Sequence, residues 1–297
     1  MLGAIETTLI YTFLLGSLYL LVSLGFSLIC GVLRIFHLGY AYIFTATVYV
    51  TWLFMTLFGT SPYSTTVLVI AIICMLAVQA GIAIAIYKGL IARYIRHEEI
   101  IILGLLFVAI IVEQSALRFY PIQTGVYLET TVIPGVSQIG QVTVSNQLIF
   151  AAILGIVITG LFILFFLKTK LGLAVRAISY DTYSSRLMGI QVQRVFMFVM
   201  VLTLIPVIAA TLAIAPIWAV DPYMGWGYMS IAILVSVLGG LGNIKGTIIA
   251  SYIIGFVHSV VGFVFNEPVY MGLAALVVVL VMLIVRPEGI TKSETVW

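Results

Sequence analysis

The sequence predicts an all-α, polytopic membrane protein of about nine helical spans with two glycine-rich helix breaks. Three observations carry this. The 297-residue chain is 63% hydrophobic and 8% charged, with a mean hydropathy of +1.28, whereas a soluble domain carries about a quarter charged residues. Apolar stretches of about 20 residues recur, the length a helix rising 1.5 Å per residue needs to cross a hydrocarbon core of about 30 Å. A water-soluble fold of this composition would expose apolar patches far larger than soluble monomers carry.

In chain order, the spans read as Leu9–Cys30, Leu38–Phe58, Val67–Tyr87, Ile100–Leu117, Leu148–Leu167, Val195–Trp218, Gly225–Ile244, Thr247–Phe265 and Val269–Val285. The first is long enough to span and has no basic region before it, so it reads as a span rather than a removable leader. Cys30 and Cys74 both fall inside apolar runs, giving neither a disulfide framework nor metal-ligand spacing.

Charge sets the orientation. With the N-terminus outside and the C-terminus cytoplasmic, the inner segments hold Arg34, Lys88, Arg93, Arg96, Lys168, Lys170, Arg176, Arg186, Arg194, Lys245, Arg286 and Lys292. Only Arg118 falls outside, as the positive-inside rule asks. The outer segments carry Glu129, Asp221 and Glu267, with Tyr223, Trp226 and Tyr228 placed like an interfacial belt. Topology thus accounts for the net charge of +3 without an acidic partner. Residues 1–297 read as one membrane domain. Within it, 118–147 form an outer loop or cap whose Thr/Val-rich patches favour short strands, and 168–195 form an inner loop.

Two breaks separate apolar runs: "CGVLRIFHLGYA" from Cys30 and "LGGLGNIKGT" from Leu238. Non-helical backbone at membrane depth survives only where protein or a water-filled cavity satisfies it. Paired interruptions of this kind point to a translocation pathway, which makes Gly31, His37, Gly39, Gly239, Gly240, Gly242 and Gly246 its candidate residues. Tight surface turns, or glycines that let helices approach closely, account for the same pattern. The second break fits neither a dinucleotide fingerprint nor a Walker A loop. No cofactor and no nucleic-acid partner are expected.

Gln79, Glu113, Gln114 and His258 are the intramembrane polar candidates. Glu113, a turn or two from the outer surface, reads as a side chain reaching that interface. His258, deeper, reads as a cavity liner or a helix–helix hydrogen-bond partner. They form no proton relay and no catalytic constellation. Uphill transport by this chain would therefore draw its energy from a partner.

The inner loop is the compact cationic island. "GLAVRAISYDTYSSRLMGIQVQRV" and the two lysines just before it hold five of the thirteen cations. Leu173, Ala177, Tyr180, Ser184 and Leu187 recur at spacings of four and three, one face of an amphipathic helix. Gly189 suits its C-terminus. Such a helix either lies on the inner leaflet or seats in a groove on a cytoplasmic partner.

These residues resemble the cytoplasmic loop of the branched-chain amino-acid ABC permeases (LivH type), whose pattern G-x-A-x-R-A-x-x-x-D then L-x-G-I matches Gly172, Ala174, Arg176, Ala177, Asp181, Leu187, Gly189 and Ile190. "LLGSLYLLVSLGFSLICGVLRI", "DPYMGW", "VLGGLGNIKG" and "VRPEGI" resemble further motifs of that family in the same order. The resemblance implies a permease subunit of an ATP-driven importer. Its partners would be a second homologous permease, two cytoplasmic ATPase subunits and an extracytoplasmic solute-binding protein. Gly172, Arg176, Ala177, Asp181, Leu187, Gly189 and Ile190 would couple to the ATPases, with Asp181 and the cations adding rim contacts. Asp221 and Glu267 would be candidate contacts for the binding protein. His37-Leu38-Gly39-Tyr40-Ala41 and Lys245 depart from the family pattern, which leaves urea or amides open as solutes. A self-sufficient secondary transporter is the alternative class.

Overall fold

The computed structural model describes residues 2–57, 65–95, 97–119, 133–218 and 220–291. Arg96, Glu129, Lys292 and stretch 120–132 of the outer segment lie outside the described residues.

Helix α1 (Leu2–Leu33) is the axis of the bundle, with α5 (Asn146–Lys168), α9 (Leu204–Ile214), α10 (Met224–Gly239) and α11 (Ile244–Ser259) packed around it. It is apolar on every side, and a helix of that kind is buried; 94% of its most apolar window is. The hydroxyls it takes into the core are satisfied locally: Thr8, Thr12, Ser17 and Ser23 each donate to the carbonyl four residues earlier. Small residues set its distance from α11, since a β-carbon on Gly255 would lie 2.7 Å from the Gly16 nitrogen.

Helices α2 (Tyr40–Leu57), α3 (Thr65–Ile86, continued by a π turn over Tyr87–Ile91) and α4 (Glu98–Phe119) form one flank. Gln79 Nε2 donates to the Ile43 carbonyl at 3.1 Å and to Thr47 Oγ1 at 3.2 Å, fastening α3 to α2. A hairpin follows, β1 (Val136–Ile139) paired antiparallel with β2 (Val142–Ser145), Val136 opposite Ser145. It meets the start of α1, where the Gln141 N–H donates to Glu6 Oε1 at 3.3 Å.

After α5 come the short helices α6 (Lys170–Tyr180) and α7 (Thr182–Leu187), then α8 (Val192–Leu202), α9, α10, α11 (continued by a π turn over Val260–Val264) and α12 (Met271–Val285). α8 and α9 form one span interrupted at Thr203, where Pro206 lacks the donor that would bond the Leu202 carbonyl.

Seven segments among the described residues are long and apolar enough to cross a membrane. The other two predicted spans are the shorter apolar helices α2 and α10. At 16 residues, α10 extends about 24 Å, less than the hydrocarbon thickness.

Candidate functional site

The two glycine-rich breaks, some two hundred residues apart, meet. α1 ends at Leu33, and Arg34 turns the chain with φ 55° before α2 begins at Tyr40. Gly240 (φ 97°) and Gly242 (φ 82°) make the other turn, and Asn243 caps α11 by accepting from the Gly246 N–H at 3.0 Å. A β-carbon on Gly31 would overlap the Gly242 Cα, and one on Gly239 would lie 2.5 Å from the Gly246 carbonyl carbon. Backbone therefore lies on backbone at both crossings. Beside them Thr247 Oγ1 donates to Ser27 Oγ at 2.9 Å.

The segment after α12 closes over the same point, a role the motif "VRPEGI" did not reveal in the sequence. Ile290 N–H donates to the Leu238 carbonyl at 2.9 Å, and Thr291 Oγ1 to the Gly239 carbonyl at 2.6 Å. Gly240 has no room for a side chain against the Thr291 carbonyl. His37 and Gly39 are buried together beside α4, where the Gly39 β-position lies 3.2 Å from both His37 Cε1 and the Leu105 carbonyl oxygen.

The loop is anchored on one face and bare on the other. Thr169 Oγ1 caps α6 by accepting from the Gly172 N–H at 2.9 Å, and Gly172 is pressed against Phe166 backbone. Val175 and Ile178 are fully buried. On the opposite side Leu173 (60%), Tyr180 (56%), Tyr183 (72%), Leu187 (72%) and Met188 (83%) are exposed. Ala177, Arg176 and Ile190 are half-buried, while Ser184 and Arg186 are exposed.

The single helix expected from Leu173 to Leu187 is two, broken at Asp181 (φ −150°). The Asp181 carboxylate accepts from the N–H groups of Tyr183 (2.8 Å) and Ser184 (3.2 Å) and from the Ser184 hydroxyl, making it the N-cap of α7. The Ser184 side chain first, then the two N–H groups, holds its carboxyl below the usual range. Its oxygens are engaged in the cap. Gly189 (φ 83°) ends α7 with open space at its β-position.

One side chain joins loop and breaks. Arg34 Nη2 donates to the Ser179 carbonyl at 3.0 Å and the Tyr180 carbonyl at 3.3 Å. A cation there complements the C-terminal end of α6. Sequence reasoning assigned Arg34 to topology alone; its place as the one cation in the first break was the available signal. Between the breaks and α6 lies a cavity of about 550 Å³, with Gly31, Arg34, Ser179, Tyr180 and Leu241 in its wall.

A family model described as the permease component of branched-chain amino acid transport systems matches residues 8–285. The chain belongs to this family. It is 22% identical to the high-affinity branched-chain amino acid transport system permease protein BraD of Pseudomonas aeruginosa PAO1, over 93% of this chain and 92% of that one.

In this permease Asp221 and Glu267 lie at the end of the bundle away from the breaks. Asp221 Oδ1 accepts from the Tyr223 N–H at 2.7 Å and shapes the entry to α10, while Glu267 is exposed between α11 and α12. The intramembrane polar residues have helix partners. Tyr19 Oη and His258 Nδ1 share a hydrogen bond of 2.7 Å across α1 and α11. Glu113 does not reach outward as expected: it is buried, accepting from the Trp226 indole N–H and from Gln114 Nε2. Burial favours that cross-helix bond because an unpartnered carboxylate would be costly there.

Proposed function

We propose that this multi-pass permease is the membrane-spanning subunit of an ATP-driven importer for branched-chain amino acids. It pairs with a second homologous permease, and two cytoplasmic ATPase subunits supply the energy. An extracytoplasmic solute-binding protein delivers the solute near Asp221 and Glu267. The N-terminus is outside and the C-terminus cytoplasmic, which turns the α6–α7 loop toward the ATPases. Family membership, as a permease component of branched-chain amino acid transport, supports this reading.

The observation that carries the ATPase-coupled reading is the two-faced loop. Val175 and Ile178 tie it to the bundle, while Leu173, Tyr180 and Leu187 leave an apolar face uncovered. Such a face suits the groove of a partner. Tyr180 belongs to that face, and its carbonyl is held by Arg34, three residues from the Gly31–Gly242 contact. A push on the loop thus has a short, hydrogen-bonded route to the first break and, through the Gly31–Gly242 contact, to the second. Gly31 and the Gly239–Gly246 turn form the moving seam of the pathway.

Reconstitution tests this. Vesicles holding the permease, its partner permease, the ATPases and the binding protein should accumulate labelled leucine, isoleucine or valine only with ATP. Accumulation by this chain alone would establish a secondary transporter instead. Uptake of urea or amides in preference to those three amino acids would reassign the solute.

A further inference from the structure

The cavity between the breaks and α6 is open on one side and has chemistry of three kinds on its wall. Arg34 contributes a guanidinium, Glu98 a carboxylate, and Ile35, Phe36, Ile102 and Leu241 an apolar surface. At about 550 Å³ it falls within the range of small-molecule sites, about 300–1,000 Å³. Its wall therefore presents both a cation and an anion. An aliphatic α-amino acid carries the matching set: a carboxylate, an ammonium and a branched apolar chain.

We propose that this cavity is a solute site on the release side of the permease, binding a zwitterionic aliphatic amino acid. The inference rests on the transport reading above and names a site within it. Arg34 makes its two bonds to the α6 carbonyls through Nη2, which leaves the N–H groups of Nη1 and Nε, on separate edges of the guanidinium, as charge-assisted donors to a carboxylate. Glu98 receives the ammonium. The side chain lies along Ile35, Phe36, Ile102 and Leu241, which the first break, α4 and the second break bring to one wall. The same bonds give the site a release device. A shift of Ser179 and Tyr180 moves the guanidinium, and with it half of the polar recognition.

The test uses the assembled transporter, nucleotide-free and without the binding protein, and measures binding of labelled leucine, with leucinamide and 4-methylpentanoate as competitors. Leucine should bind saturably. Leucinamide, which lacks the carboxylate, and 4-methylpentanoate, which lacks the ammonium, should each bind more weakly. Glu98→Gln should weaken leucine about tenfold, the loss of one charge-assisted contact, and leave 4-methylpentanoate unchanged. Arg34→Lys should weaken both of those ligands and spare leucinamide. No saturable binding, or a Glu98→Gln effect equal for leucine and 4-methylpentanoate, overturns the site. ATP-driven uptake is scored separately. Uptake without this binding removes the site and leaves the importer reading standing, while selective binding without ATP-driven uptake does the reverse.

Discussion

Gly31 and Gly242 touch through their backbones, and a β-carbon on either would overlap the α-carbon of the other. The contact closes the seam between the two helix breaks, so its effect on packing can be separated from its effect on chain geometry. Gly31 lies within α1, where alanine is at ease in the backbone, and Gly31→Ala therefore tests crowding alone. Overpacking of this kind costs about 1–3 kcal/mol. Gly242, at φ 82°, adds the strain of a left-handed residue, about 1–2 kcal/mol. Thermal melting in detergent should rank wild type above Gly31→Ala and Gly31→Ala above Gly242→Ala, with leucine uptake falling in the same order. Equal melting of all three proteins would show that the backbones part at little cost.

Leu187 and Gly189 lie two residues apart and should fail differently. The Leu187 side chain is 72% exposed, so Leu187→Glu removes exposed apolar surface without touching the fold. Its melting temperature should stay near that of wild type while ATPase co-purification and uptake drop at least about tenfold, the effect of losing a buried hot-spot contact. Gly189→Ala meets no neighbour but must adopt φ 83°, a strain of about 1–2 kcal/mol. It should lower melting and weaken ATPase association only modestly. Full ATPase association by Leu187→Glu would remove the loop face from the interface.

The helices were legible because a span carries its signature in its own composition: length, apolarity and basic flanks are all local. Both breaks were legible for the same reason, through glycines and a cation between apolar runs. That Gly31 meets Gly242, or that Thr291 bonds Gly239, is a long-range fact that no local pattern encodes. The loop shows where periodicity misleads. Leu173, Tyr180 and Leu187 do share an exposed side, yet spacing alone ran one helix through Asp181. The competing principle was capping: Asp181, followed three residues later by Ser184, satisfies the N–H groups of a new helix better than it serves inside an old one. Arg34 was hidden for another reason. A cation in an inner loop already had a sufficient explanation in topology.

The Asp181 cap gives the loop a pH response of defined sign. Its carboxyl is held below the usual carboxylate range, so its contribution to the α6–α7 corner is present above the unfolded value of about 3.9. It is lost as pH falls through the lower folded value. At neutral pH the cap is complete. Hydrogen exchange at the Tyr183 and Ser184 amides should be slow at pH 7 and faster in Asp181→Ala, with the difference between the two proteins shrinking as pH falls through the folded value. Asp181→Asn, which keeps an acceptor oxygen, should retain slow exchange and lose the acid-side change. Fast exchange in wild type at pH 7 would remove the cap from the account.

Trp226 and Glu113 bind α10 to α4 near the end of the bundle opposite the breaks, through the indole N–H and a buried carboxylate oxygen. α10 is only 16 residues long and also carries the Gly239–Gly246 crossing, so a tether near its start limits how far it tilts. Trp226→Phe keeps the ring and deletes the donor, leaving the carboxylate short of one hydrogen bond, a loss of about 1.5–3 kcal/mol for a bond to a charged group. Glu113→Gln keeps an acceptor of similar shape and should cost less. In the double variant no charge is left unpartnered, so the two effects should not add, and a double-mutant cycle in detergent melting should return a coupling of about 1 kcal/mol or more. Additive losses would mean that the two side chains act independently and that α10 is positioned by its glycine crossing alone.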